Sequence, residues 1–124
     1  MQFIRNDEFL AASQITGSKH NLLQVRLASG PQQKPFCEKL PAIGQCTHES
    51  LDEELLVAKV LDGLSEANKR FGASYSVTHI RYVENDTKPE VVYGYMCLML
   101  IEHLQTGGVF VETNIGQSSI RNAL

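Results

Sequence analysis

The chain has 124 residues, a formal net charge of −3 at neutral pH and 43% apolar residues. This length fits one domain with a substantial core, and the composition excludes a disordered or membrane-embedded chain. The 11 Lys and Arg residues are scattered among 14 Asp and Glu residues. The sequence therefore lacks the basic field typical of nucleic-acid binders, and no nucleic-acid partner is expected.

The amino terminus, MQFIRNDEFLAAS, does not have the apolar segment of a signal peptide, because Asp7 and Glu8 interrupt it. The longest uncharged apolar stretch, 91–101, is too short to span a bilayer. We therefore expect a cytoplasmic protein with no membrane partner. The odd number of cysteines, three, indicates reduced thiols.

The first two predicted elements form an antiparallel hairpin. Residues 9–16 (FLAASQIT) are apolar and tolerate a strand, and residues 17–21 (GSKHN) are turn formers. Residues 22–28 (LLQVRLA) alternate apolar and polar side chains, which is typical of a half-buried strand.

Residues 29–49 are predicted to be an irregular loop. This stretch holds three of the four prolines and two glycines. Long ordered loops without secondary structure are uncommon and are often functional. A short strand around Phe36 or Ile43 is compatible with the sequence.

A helix is predicted from Ser50 to Gly72. Ser50 and Glu53 fit a capping box, and Gly72 fits a helix end. Lys69 and Arg70 lie in the last turn, where the helix dipole favours cations. One apolar stripe at helical spacing predicts the buried side; its members are Leu56, Val57, Val60, Leu61, Leu64, Ala67 and Phe71.

Residues 74–84 (SYSVTHIRYVE) predict a strand, because aromatic and β-branched residues dominate. If the side chains alternate strictly, each face of this strand carries both polar and apolar residues. One predicted face consists of Tyr75, Val77, His79, Arg81 and Val83.

Residues 91–104 are compatible with either a helix or a strand. Thr87 and Glu90 fit a second capping box, and Gly107 fits a helix end, whereas the two valines and Gly94 disfavour a helix. Two terminal signals favour the helix, which would be apolar on nearly all sides. A short strand is expected at 109–112, and a frayed tail from about residue 116.

Together these elements predict one α+β domain over residues 1–124. The expected architecture is a two-layer sandwich, with two helices on one face of a mostly antiparallel sheet. The predicted order of the elements is β-β-α-β-α-β.

The loop stretch FCEKLPAIGQCTHES raises the question of a metal or a nucleophile. Cys37, Cys46 and His48 have a C-x8-C-x-H spacing that matches no short zinc motif, so no metal and no cofactor are expected. Cys46 precedes a helix N-terminus, where a thiolate is stabilised. Buried structural cysteine is the commoner role, and no catalytic residues are assigned.

The candidate ligand-binding residues are His79, Arg81, Cys46 and His48. If the face with His79 and Arg81 lines a groove under the loop 29–49, the arginine would suit a carboxylate or another anion. The alternative is an ordinary solvated sheet face.

The candidate oligomer seam is the second helix, with Tyr95, Met96 and Met99. A helix that is apolar on all sides has more apolar surface than one sheet covers, and a two-fold partner would bury the rest. The leading hypothesis is therefore a small non-enzymatic binding or assembly module, acting through protein–protein contact as a homodimer. The alternative is a small-molecule-binding protein or a simple enzyme with its site under the loop.

Overall fold

The computed structural model describes residues 1–16, 19–40, 52–83 and 91–113. Two helices and six strands follow one another within these ranges. The elements are β1 (Gln2–Asn6), β2 (Phe9–Thr16), β3 (Lys19–Ser29), β4 (Phe36–Leu40), α1 (Glu53–Phe71), β5 (Tyr75–Val83), α2 (Val91–Gln105) and β6 (Val111–Thr113). The predicted order is confirmed. β1 was not predicted, and β4 is the short strand that the sequence allowed around Phe36.

The six strands form one mixed sheet in the order β4-β5-β3-β2-β1-β6. Three neighbouring pairs are antiparallel, β1 with β2, β2 with β3, and β3 with β5. Two pairs are parallel, β4 with β5 and β1 with β6. The α+β class is therefore confirmed, and the predicted antiparallel character holds for the centre of the sheet but not for its two edges.

The predicted hairpin is confirmed as β2 and β3, but the predicted turn at 17–21 is too long. β3 already begins at Lys19, because the register pairs Lys19 with Thr16 of β2. Leu10 pairs with Val25, and Ala12 pairs with Leu23, in an antiparallel register. All four side chains are buried in the core beneath the helices. The apolar residues of the alternating pattern are therefore the ones that face the helices.

The loop prediction for 29–49 is wrong for part of its length. β3 continues to Ser29, and β4 occupies Phe36–Leu40 beside β5. The connection from β4 to β5 contains α1, which is the crossover that a parallel pair requires. Residues 41–51 and the predicted frayed tail lie outside the described residues.

Two side-chain amides complete the outer edge of β5 before β4 begins. The Gln32 amide donates to the Val77 carbonyl and accepts from the Val77 N–H, both at 2.8 Å. The Asn68 amide does the same for Tyr75, at 2.9 and 3.1 Å. These amides satisfy backbone groups of β5 that have no strand partner on that side.

The N-cap of the first helix lies two residues later than predicted. Asp52, not Ser50, is the N-cap, and its Oδ1 accepts from the Leu55 N–H at 3.2 Å. Gly72 ends the helix in the left-handed conformation, with φ of 63°, as predicted. The predicted stripe faces the core, with Leu56, Val60, Leu64 and Ala67 buried.

The second helix is confirmed, and its glycine has a packing role. A Cβ on Gly94 would overlap the Lys59 carbonyl of α1, whose carbon would lie 3.1 Å away. A Cβ on Gly63 would overlap the backbone of Gly94 in turn. The two helices thus cross with their backbones in contact, which explains a glycine inside an otherwise helical sequence.

Most of the apolar surface of α2 is buried in the core of its own chain. α2 packs against α1 and against β2 and β3. Its buried residues are Tyr93, Gly94, Met96, Cys97, Leu100 and Ile101. Within the described ranges, neither helix is long and apolar enough to cross a membrane.

Candidate functional site

A β-bulge in β5 decides which side chains share a face. Arg26 of β3 pairs with His79, but the next residue, Leu27, pairs with Val77. Thr78 is therefore an extra residue in β5. Because of this bulge, Val77 faces the core, whereas His79 and Arg81 point away from the helices, so the prediction of one continuous face is wrong.

The bulge also fixes the ring of His79. The Thr78 hydroxyl donates to the Arg26 carbonyl at 3.3 Å and lies 2.9 Å from His79 Nδ1. The short Nδ1–Oγ1 contact orients the histidine ring relative to the bulge.

The edge strand β4 brings two further side chains beside these residues. Phe36 pairs in register with His79, and Glu38 pairs with Arg81. Residues opposite each other in a sheet point to the same face. We call the surface formed by Phe9, Phe36, Glu38, His79 and Arg81 the aromatic–arginine cluster.

Arg81 is held from two directions. Its guanidinium carbon lies 4.0 Å from the centre of the Phe9 ring, which is a cation–π contact. Its Nε donates to Glu38 Oε1 at 3.2 Å. The Arg81 and Glu38 side chains remain 36% and 47% exposed, so both can contact a partner while they hold each other.

The aromatic part of the cluster surrounds His79. The Phe9 ring meets the histidine edge to face at 6.2 Å, and the Phe36 ring lies at 5.8 Å. Phe9 is buried and Arg81 lies over its ring, whereas Phe36 is 63% exposed. The edge strand β4 therefore presents one large apolar ring to the solvent.

A second ion pair lies next to the cluster. Arg26, the register partner of His79, contacts Glu8 with an Nη2–Oε1 distance of 2.8 Å. Glu8 belongs to the turn between β1 and β2, directly before Phe9. The surface thus carries two acidic and two basic side chains, each cation beside an anion.

One buried polar atom in this region lacks a partner. Gln24 pairs in register with Arg81 and with Ala11, so its side chain belongs to the same face. Among the described residues, its Oε1 is a buried side-chain oxygen without a hydrogen bond. Such an acceptor costs free energy that the fold does not recover locally.

The described cysteines are poor nucleophiles. Burial, followed by a hydrogen bond and repulsion from Glu53, raises the pKa of Cys37 to about 12. Burial alone raises the pKa of Cys97 to about 12. Both are free thiols that remain protonated at neutral pH.

The predicted Cys46–His48 part of the ligand site lies outside the described residues. Of the four predicted ligand-binding residues, the structure therefore places His79 and Arg81, and it brings these two together. In the described part of the chain, no group of three or more His, Cys, Asp or Glu side chains is arranged to hold a metal.

The predicted seam residues on α2 have different positions. Met96 is 0% exposed in the core of its own chain, so it is not available to a partner surface. Met99 is half-buried, and Tyr95 is 55% exposed. Only the outer side of α2 therefore remains for contact with another molecule.

Sequence reasoning missed three members of the cluster, Phe9, Phe36 and Glu38. Their proximity to His79 depends on the pairing of β2, β3 and β4 with β5, which no local pattern encodes.

Comparison with protein-family models, with curated proteins and with solved structures gave no match for this chain.

Proposed function

We propose that the protein is a small binding module that acts through protein–protein contact, and that the aromatic–arginine cluster is its binding surface. The observation that carries this proposal is Phe36, a large apolar ring, 63% exposed, on the edge strand β4 of the sheet. Exposed rings beside a structured arginine are typical of residues that dominate binding energy at protein interfaces.

The fixed geometry of the cluster supports the proposal. Arg81 is held by Glu38 and Phe9, and His79 is held by Thr78. Side chains that are already ordered lose little rotamer freedom when a partner binds. The surface is also part of a sheet, which suits a broad protein contact.

The test is site-specific photo-crosslinking in the producing cells. A benzophenone amino acid replaces Phe36 in one variant and Tyr95 in a matched control, since Tyr95 is an exposed aromatic on the helical layer. We expect covalent protein adducts from position 36 and not from position 95. Adducts from position 95 alone would reject the cluster and favour the outer side of α2. No adduct at either position would reject the binding-module proposal.

A second candidate function is binding of a small anionic molecule at the same residues. It is favoured by the position of His79 and Arg81, which lie two residues apart on one face of β5, with the His79 ring oriented by Thr78. A carboxylate would match the Arg81 guanidinium, and a neighbouring polar group would match the imidazole. Titration with citrate should then shift the NMR signals of His79 and Arg81 saturably, and the Arg81→Ala variant should lose the effect. Unchanged signals up to millimolar citrate would reject this candidate.

A further inference from the structure

We propose that the partner of the aromatic–arginine cluster is a second copy of this chain, packed face to face about a two-fold axis. This inference rests on the proposed function and names its partner. In the assembly, Glu38 of each copy contacts Arg81 of the other copy. The four charges then alternate in sign around the axis.

The charge pattern of the surface supports a partner of the same kind. A two-fold interface places one patch against an identical patch, so the patch must be complementary to itself. The Arg81–Glu38 and Arg26–Glu8 pairs sum to zero charge, with each cation adjacent to an anion. Such a patch attracts its own copy after rotation, whereas a patch of one sign would repel it.

The guanidinium of Arg81 has the capacity for both contacts. Within one chain, its Nε donates to Glu38. An arginine has five N–H donors in a planar fork, so its terminal nitrogens can donate to a carboxylate of a second copy. The exposed Phe36 ring would lose its contact with water in the same step.

The shape of the surface suits a second copy, because the residues of the cluster lie on β2, β4 and β5 of one sheet. Face-to-face packing of two sheets is also an established arrangement in protein cores.

The edge of β4 disfavours the other simple two-fold assembly, in which two sheets join edge to edge. Antiparallel pairing of β4 with itself over all five residues, 36–40, is centred on Glu38. That register would place each Glu38 directly opposite its own copy, and like charges in this position are destabilising.

The experiment is a charge swap, read by sedimentation velocity from 1 to 200 µM, a range chosen to span typical transient and stable dimers. The wild type is expected to dimerise. Glu38→Arg and Arg81→Glu should each weaken self-association at least tenfold, because each homodimer would contain only like charges at the axis. An equimolar mixture of the two variants should form a heterodimer, and the double variant E38R/R81E should recover the homodimer. The control Glu66→Arg changes an exposed ion pair on α1 and should leave the association unchanged.

Several outcomes would overturn the inference. These are a monomeric wild type at 200 µM, single variants that dimerise like the wild type, or no heterodimer in the mixture. Thermal unfolding of each variant separates misfolding from lost association, since exposed ion pairs contribute little to folding. Crosslinks from position 36 to a different protein would leave the proposed function intact and reject the second copy as partner. An absence of crosslinks would reject both.

Discussion

The same Gln→Met substitution should change the free energy of unfolding in opposite directions at two positions of the sheet region, Gln24 and Gln32. Gln24→Met replaces an amide whose oxygen is buried by a side chain of similar length that needs no hydrogen bond. Because Gln24 Oε1 is buried without a partner among the described residues, its removal should recover desolvation free energy of about 1–2 kcal/mol. Gln24→Met should therefore stabilise the fold.

The matched control is Gln32→Met. The Gln32 amide makes two hydrogen bonds of 2.8 Å to the Val77 backbone. At about 0.5–1.5 kcal/mol for each bond, the same substitution at this position should destabilise the fold by about 1–3 kcal/mol. The two variants should thus differ by about 2–5 kcal/mol in free energy of unfolding.

Urea unfolding at low protein concentration is the appropriate assay, because association would otherwise add to the apparent stability. For a chain of this size, each kcal/mol corresponds to roughly 3–6 °C in Tm. If Gln24→Met loses as much stability as Gln32→Met, then Gln24 is hydrogen-bonded in solution and the reasoning about this oxygen is wrong.

Three further predictions concern the framework of the site. Gly94→Ala should destabilise the fold by about 1–3 kcal/mol in urea unfolding, because the added methyl overpacks the contact between α1 and α2. The control Ser65→Ala, at an exposed position of α1, should be neutral or slightly stabilising. Equal effects of the two variants would contradict the close contact of the helix backbones. Glu53→Gln should lower the raised pKa of Cys37 and speed its alkylation several-fold at pH 8, measured by peptide mass spectrometry; an unchanged rate would show that burial alone suppresses this thiol. Asn68→Asp should cost about 1–3 kcal/mol in thermal unfolding, because a carboxylate cannot donate to the β5 carbonyl and repels it; wild-type stability would contradict the double hydrogen bond.

The elements with strong local signals were predictable from the sequence. The alternation at 22–28 and the apolar stripe of α1 identify the strand and the helix correctly. For α2, terminal signals outweighed the valines and Gly94, and the helix is confirmed. The reason for Gly94 was not predictable, because it depends on where the second helix crosses the first.

β1 was not predicted, and β4 was only allowed for, as a short strand around Phe36. Both strands take part in the parallel pairings of the sheet. β1 (QFIRN) has no regular alternation, and its place depends on pairing with β2 and β6. β4 (FCEKL) contains two charged residues and follows a proline. Such short strands are stabilised by their neighbours and not by their own propensity.

The candidate site was predictable only in part. His79 and Arg81 were predicted to share a face, and they do. The bulge at Thr78 was not predictable, because it is a mismatch between β5 and its partner β3 and leaves no mark in β5 alone. The contribution of Phe36 and Glu38 required the register of β4.

Mass spectrometry of the crosslinks formed from position 36 tests the central claim most directly. We predict adducts between two copies of the chain, in which the crosslinked peptide comes from the face of the sheet that holds His79 and Arg81. Adducts that map to the helical layer, or that form only from position 95, would contradict the assignment of the aromatic–arginine cluster as the binding surface.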